Sequence, residues 1–130
     1  MTRGRLADET GTAVAEFVMV GALLTVLTLS VMQLGLALHI RNTVLDAAAE
    51  GARFAALADN ELADGVVRTR DLISSALGQQ YAADVTASVG SYLGHPAATV
   101  TVRTPLPLFG LVGIENGLEV AGHAAIETLD

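Results

Sequence analysis

The 130-residue chain has no cysteine. That single absence excludes disulfides, thiolate metal sites and thiol nucleophiles together. It leaves the compartment open, but an exported form would have to hold together without covalent staples. Lysine is absent too. All seven basic residues are arginines, set against 14 acids, for a formal net charge of −7. No basic stripe exists to release counterions from a phosphate backbone, so no nucleic-acid partner is expected. Charge is scarce, at 16% of residues, while 52% are hydrophobic. That balance argues against a disordered chain, and the length suits one small domain.

The hydrophobic excess is concentrated in one stretch. Residues 17–38, FVMVGALLTVLTLSVMQLGLAL, carry no charge over 22 positions. As a helix this run is ~33 Å long, which matches the ~30 Å hydrocarbon core of a bilayer. The hydroxyls of Thr25, Thr28 and Ser30 can bond back to carbonyls of their own helix. Gln33 is harder to hide and is expected to face another helix. A buried core helix would need covering on all sides, and the residues that follow are too few for that. A secretory signal peptide would have a shorter apolar region ending in a small-x-small cleavage site, unlike Leu38-His39-Ile40-Arg41. Arginine counting leaves the orientation undecided, with Arg3 and Arg5 before the span and Arg41 and Arg53 after it.

One carboxylate stands at the edge of the span. In Gly11-Thr12-Ala13-Val14-Ala15-Glu16-Phe17, Glu16 is continuous with the apolar helix. An ionised carboxylate costs on the order of 3 kcal/mol at the bilayer centre, and less near the edge. Taken alone, Glu16 has a bland reading: it marks the water interface, favoured by the positive end of the helix dipole. The spacing offers a sharper one. Cutting after Gly11 makes Thr12 the first residue and Glu16 the fifth, with the aromatic Phe17 sixth. The polar leader before it carries Arg3 and Arg5 and ends in glycine. This resembles the processing site of type IV prepilins, where a membrane aspartyl peptidase cuts before a hydrophobic helix that is then kept as the assembly element. In such proteins the fifth-residue Glu meets the free amino terminus of a neighbouring subunit. Two opposite charges that must both leave water attract strongly at low dielectric, and such a pair specifies axial stagger more than it adds stability.

The resemblance narrows further. Ala15-Glu16-Phe17-Val18, the apolar span, and the segment from Asn42 to Ala56 containing Ala47-Ala48-Ala49-Glu50-Gly51-Ala52-Arg53-Phe54-Ala55 together resemble the TadE-like family. These are pseudopilins or minor pilins of the tight-adherence (Flp, type IVc) pilus system. The similarity is strong over residues 8–58 and extends beyond them in general layout. The chain departs from the family in two places: Ala22 stands in the region where an early proline is common, and Glu50 stands where Asp is common. TadG-like relatives share the amino-terminal pattern but are usually much longer.

The resemblance implies an inner-membrane precursor, a single-pass protein with its carboxyl-terminal domain outside the cytoplasm. Prepilin peptidase would cut between Gly11 and Thr12. Glu16 and Phe17 would serve subunit assembly. Implied partners are the membrane, the peptidase, the major pilin and other minor pilins, and the pilus platform proteins, with an assembly ATPase acting indirectly from the cytoplasm. The organisation is then a leader over 1–11, a helix over 12–57 with its span at 17–38, and a small extracytoplasmic domain over 58–130.

Beyond the span, residues 39–58 contain no proline and are rich in alanine, so the helix is expected to continue to about Leu57. Val44, Ala48, Gly51 and Ala55 recur at helical spacing. That small-residue face either packs on the chain's own domain or meets a neighbouring subunit. Glu50 and Arg53 are three apart and can pair across a turn, a structural role rather than a catalytic one. Asp59-Asn60 and Asp64-Gly65 punctuate the chain. A second helix is predicted at about 61–80, with Leu62, Val66, Ile73, Ala76 and Leu77 near one face, Arg68, Arg70, Asp71 and Gln79 wet, and Gly78 an objection near its end.

After Tyr81 the period changes to two. Alternation at Val85, Ala87 and Val89, at residues 99–104, and from Leu118 to Glu127 predicts three strands, antiparallel, with one face on the helices. The expected fold class is α+β, a long membrane-spanning helix continuing into a small pilin-like domain. Gly94-His95-Pro96 is expected to make the first strand connection and residues 105–113 the second. The second is apolar for a surface loop. It is read as folding back on the sheet, lying on the membrane, or contacting a partner.

No enzymatic role is expected. His39, His95 and His123 lack metal-ligand spacing. No serine sits in a nucleophile elbow, the acids form no couple, and no glycine motif cradles phosphate. No cofactor or metal is implied. Two rival readings stand beside the pilin. One is an uncleaved single-pass scaffold subunit of a secretion or envelope complex. The other is a tethered binding domain whose 105–113 loop holds a ligand.

Overall fold

The computed structural model describes residues 2–106 and 114–127. It contains two helices, α1 (Thr2–Ala56) and α2 (Leu62–Ala76), a short 3-10 helix (Gln79–Ala82), and three strands, β1 (Asp84–Tyr92), β2 (His95–Leu106) and β3 (Ile114–Ala125). The strands form one antiparallel sheet in the order β1-β2-β3. The α+β architecture expected from the sequence is thus the observed one. By compactness the chain divides into two units, Met1–Gly35 and Leu36–Asp130.

The first unit is helix alone. α1 starts at Thr2, earlier than the apolar pattern predicts, because Gly4 and Gly11 weaken a helix without breaking it. The hydroxyls of Thr25, Thr28 and Ser30 donate to the carbonyls of Gly21, Leu24 and Val26 at 2.7–2.8 Å, so they satisfy themselves within the helix as expected. The helix is long and apolar enough to cross a membrane, and its most apolar stretch is wholly unburied. A core helix of a soluble protein would be covered there.

In the second unit, α1 supplies the core's helical face. Ile40, Val44, Ala47, Ala48 and Ala52 pack in one cluster with Ile73, Ala82, Val85, Val100, Val102 and Val120. Val44, Ala48, Gly51 and Ala55, singled out by their spacing, are all buried. Ala55 and Ala56 form a second cluster with Ala98. Glycines set the closeness of approach. A Cβ on Gly122 of β3 would stand 2.5 Å from the Ala48 carbonyl oxygen, so only glycine lets the strand lie against the helix there.

The second helix is shorter than predicted. Its start is fixed by the Glu61 backbone N–H donating to Asp64 Oδ2 at 2.7 Å, which puts Asp64 and Gly65 in its first turn. Its end comes at Ala76 because Gly78 adopts φ +112°, outside helical space, and a 3-10 turn follows. Ile73 is buried and Leu62, Val66 and Leu77 half-buried, but Ala76 is exposed, a correction to the predicted face. Gly65 and Thr69 take the central positions instead.

The first strand connection also differs. The hairpin turns at Leu93-Gly94, with Tyr92 paired to His95 and Ser91 to Pro96, so His95 and Pro96 belong to β2. Leu93 and Gly94 have φ +51° and +82°, the backbone of a two-residue type I′ turn, whose twist matches that of the strands. At the other end of β2 the ladder slips between Thr104 and Leu106, where Pro105 has no N–H to donate. β3 begins earlier than predicted, at Ile114, which pairs with Leu106. Of the apolar connection, residues 107–113 lie outside the described residues.

Candidate functional site

Gly11, Thr12, Glu16 and Phe17 all lie on α1 in the first unit, and all are exposed. Thr12 and Glu16 are four apart, so they sit on adjacent turns of one face. The Thr12 hydroxyl donates to the Asp8 carbonyl at 2.8 Å. The peptide bond between Gly11 and Thr12 is therefore inside a hydrogen-bonded helix, with glycine as the weakest helix former on that side. Phe17 is 80% exposed, and Val14, Val18, Met19 and Val20 are each more than half exposed. Among the described residues, none donates to or pairs with the Glu16 carboxylate. A carboxylate next to so much uncovered apolar surface is a strong electrostatic anchor for any cation that reaches it, because little water remains to screen the pair once the surface is covered.

The second motif lies in the other unit. Gly51 is buried where α1 crosses α2, and its neighbour across the crossing is Gly65. The Thr69 hydroxyl donates to the Gly65 carbonyl at 2.8 Å and lies 3.4 Å from that of Ala47, which closes the crossing without an unpaired buried group. Arg53 Nη1 is 3.5 Å from Glu50 Oε2, with the arginine side chain largely in water and the glutamate half-buried. The pairing expected from the sequence is present, and it is a weak surface bridge. The Gly-Ala-Arg segment therefore works through its glycine and alanine, which pack, while its arginine stays outside.

On the solvent face of the sheet, Arg103 Nε donates to Glu119 Oε2 at 2.9 Å, and this bond, followed by the charge of Glu119, raises the guanidinium pKa above its usual value. The His123 ring stacks on Tyr92 with centroids 4.2 Å apart, and its Nδ1 is 2.9 Å from the Thr99 hydroxyl. His39, His95 and His123 are not gathered, and among the described residues no group of three metal-ligating side chains occurs. Sequence reasoning gave Gly65 and Thr69 no role at the crossing. A glycine inside a predicted helix with a threonine one turn later was the available signal for both.

Compared with known proteins, residues 11–53 match the model of a family described as TadE-like protein. The matched stretch begins at Gly11 and ends at Arg53, so it takes in the first motif, the apolar span and the second motif as far as its arginine, and over it the chain is similar to that family. No curated protein matches the chain. No solved structure matches it either.

Proposed function

We propose that this protein is a minor pilin or pseudopilin of a tight-adherence (type IVc) pilus, cut by prepilin peptidase between Gly11 and Thr12 and acting in pilus initiation or support. The observation that carries the reading is Glu16. It is the fifth residue after Gly11, on a helix whose apolar flank is uncovered at Phe17, Val18 and Met19. After cleavage the new amino group of Thr12 is a cation at the end of an apolar rod. Glu16 of a neighbour is the matching anion, and burying the two together offsets much of the cost of burying either. Phe17 and the residues after it anchor the chain in the membrane and pack against other subunits. The folded unit stands outside the cytoplasm. Partners are the peptidase, the major pilin, other minor pilins and the platform proteins. The protein is a substrate of the peptidase and not itself a catalyst.

The test is the mature amino terminus. Mass spectrometry of protein extracted from membranes of piliated cells should find a chain starting at Thr12. An intact Met1 leader in cells with active peptidase would overturn the reading and favour the uncleaved scaffold subunit.

A further inference from the structure

Two contacts set the height of the sheet along α1. Gly122 of β3 packs against the Ala48 carbonyl group, and the Glu127 N–H, just past the strand, donates to the Ala56 carbonyl at 3.0 Å. β3 therefore climbs α1 in the same direction, and five residues of strand pass eight of helix. Gly122 pairs with Val100, and six residues further along β2 Leu106 pairs with Ile114. At the same slope those six residues descend about ten helix residues, ~15 Å. That brings the Leu106–Ile114 end of the sheet level with Leu38, the last residue of the uncharged run. Burial on α1 agrees. Ala37 is half-buried, one turn before the buried Ile40, while Leu36, Leu38 and His39 stay exposed. All of these residues belong to the one unit Leu36–Asp130.

The two elements also change from apolar to charged at about the same height. On α1 the first charge after the run is Arg41, exposed one turn beyond Leu38. On the sheet, Arg103 and Glu119, hydrogen-bonded at 2.9 Å, stand three ladder positions above Leu106. From Thr104 through Ile114 the sequence then carries no charge over eleven residues, and Glu115 follows as β3 begins its climb. Pro105 and Leu106 are only half-buried by the fold. Apolar surface at the end of a sheet is a liability in bulk water. At a bilayer surface the same area leaves water, and Pro105 has no N–H to be left unsatisfied there. An arginine one turn beyond an apolar run suits the level of lipid phosphates, with its stem against the acyl boundary.

We propose that the end of the sheet at Pro105, Leu106 and Ile114 rests in the lipid interface beside the exit of α1, so that the bilayer holds the folded unit at two points and not by the helix alone. The occupant is lipid because a segment beside Leu38 and level with it meets the bilayer surface when the run spans the membrane. The proposal rests on that part of the reading above and not on cleavage. Among the three roles open to the apolar connection, lying on the membrane is the one that this height selects. A second contact fixes how far the unit stands from the bilayer. A subunit that leaves the membrane for a filament must then lift this end out of lipid together with the span.

The absence of cysteine makes a clean test. Full chains with Leu106→Cys, Val26→Cys or Leu93→Cys carry one thiol each, which is labelled with a fluorophore. They are reconstituted, at less than one chain per vesicle, in bilayers of phosphatidylethanolamine and phosphatidylglycerol. Val26 lies in the middle of the run, and Leu93 is 83% exposed at the opposite end of the sheet. Replacing the lipid by its acyl-brominated form should quench the Leu106 label by about half, as a position at the acyl boundary requires, and leave the Leu93 label unchanged. A quenched Val26 label with an unquenched Leu106 label overturns this proposal alone, and would mean that the end of the sheet waits for a protein. An unquenched Val26 label overturns the spanning run and this proposal with it. Cleavage plays no part, since the vesicles hold the uncut chain. Pro105→Cys gives the same measurement from the adjacent residue, should Leu106→Cys fail to fold.

Discussion

Gly51 and Gly65 face each other across the crossing of α1 and α2. A Cβ on Gly65 would stand 2.6 Å from the Gly51 carbonyl oxygen, and one on Gly51 would stand 2.7 Å from the Gly65 carbonyl oxygen. Each glycine is thus the space that the other's backbone occupies. The two helices touch through main chain, and Thr69 supplies the hydrogen bond that a closer side chain would displace.

Gly65→Ala should therefore destabilise the folded unit by about 2 kcal/mol, although alanine in an ordinary helix would stabilise by ~1 kcal/mol. Thermal unfolding of the detergent-extracted chain should show a lower Tm. Gly90→Ala is the control, since a Cβ there meets nothing within 4 Å. A Tm for Gly65→Ala at or above that of the parent would mean the helices do not approach this closely.

Leu93 holds φ +51° at the first position of a type I′ turn, a conformation that suits asparagine or glycine and disfavours a leucine that is 83% exposed and packs on little. Leu93→Asn should raise stability by about 0.5–1 kcal/mol. The measurement is the same unfolding curve, shifted up by a few degrees; a shift downward would assign Leu93 a packing role.

The bond between Gly11 and Thr12 lies in a helix, so a peptidase must open that turn to seat it in an active site. Gly11→Ala raises local helix stability by ~1 kcal/mol, which lowers the open population about fivefold. In a pulse-chase, conversion of the uncut precursor to mature chain should slow by a similar factor. Full cleavage at the parental rate would place the cut elsewhere.

Glu16→Ala should leave membrane insertion intact, since removing a carboxylate from an apolar helix only lowers the insertion cost. Assembly should weaken strongly, because the amino group of the incoming chain then enters apolar surroundings unpaired. Counting pili by electron microscopy checks this, with membrane fractionation as the control. Normal piliation would remove charge pairing from the mechanism.

Much of this was legible from residue order. An uncharged run of 22 residues, a carboxylate five after a glycine, and a small-residue face at Val44, Ala48, Gly51 and Ala55 are local patterns, and each reports a local requirement. Helical spacing marked the small-residue side of α1, and the fold decided that this side packs on the chain's own domain. Strand existence followed from period-two alternation. The boundaries did not follow. Pro96 looked like part of a turn, yet the turn is Leu93-Gly94, because the twist of the two strands selects a two-residue loop and sets the register beyond it. Ala76 looked like core by its spacing and is exposed because the helix stops there.

The sequence by itself determined that the chain carries a membrane-length apolar helix with an acid at its edge, since hydrophobicity and charge are properties of consecutive residues. Only the tertiary structure decided which glycines are indispensable. Gly65 and Gly122 matter because other backbone comes within a methyl's width of them, whereas nothing comes near Gly90. Contacts between residues far apart in the chain are the product of packing, and no local pattern encodes what will stand on the other side.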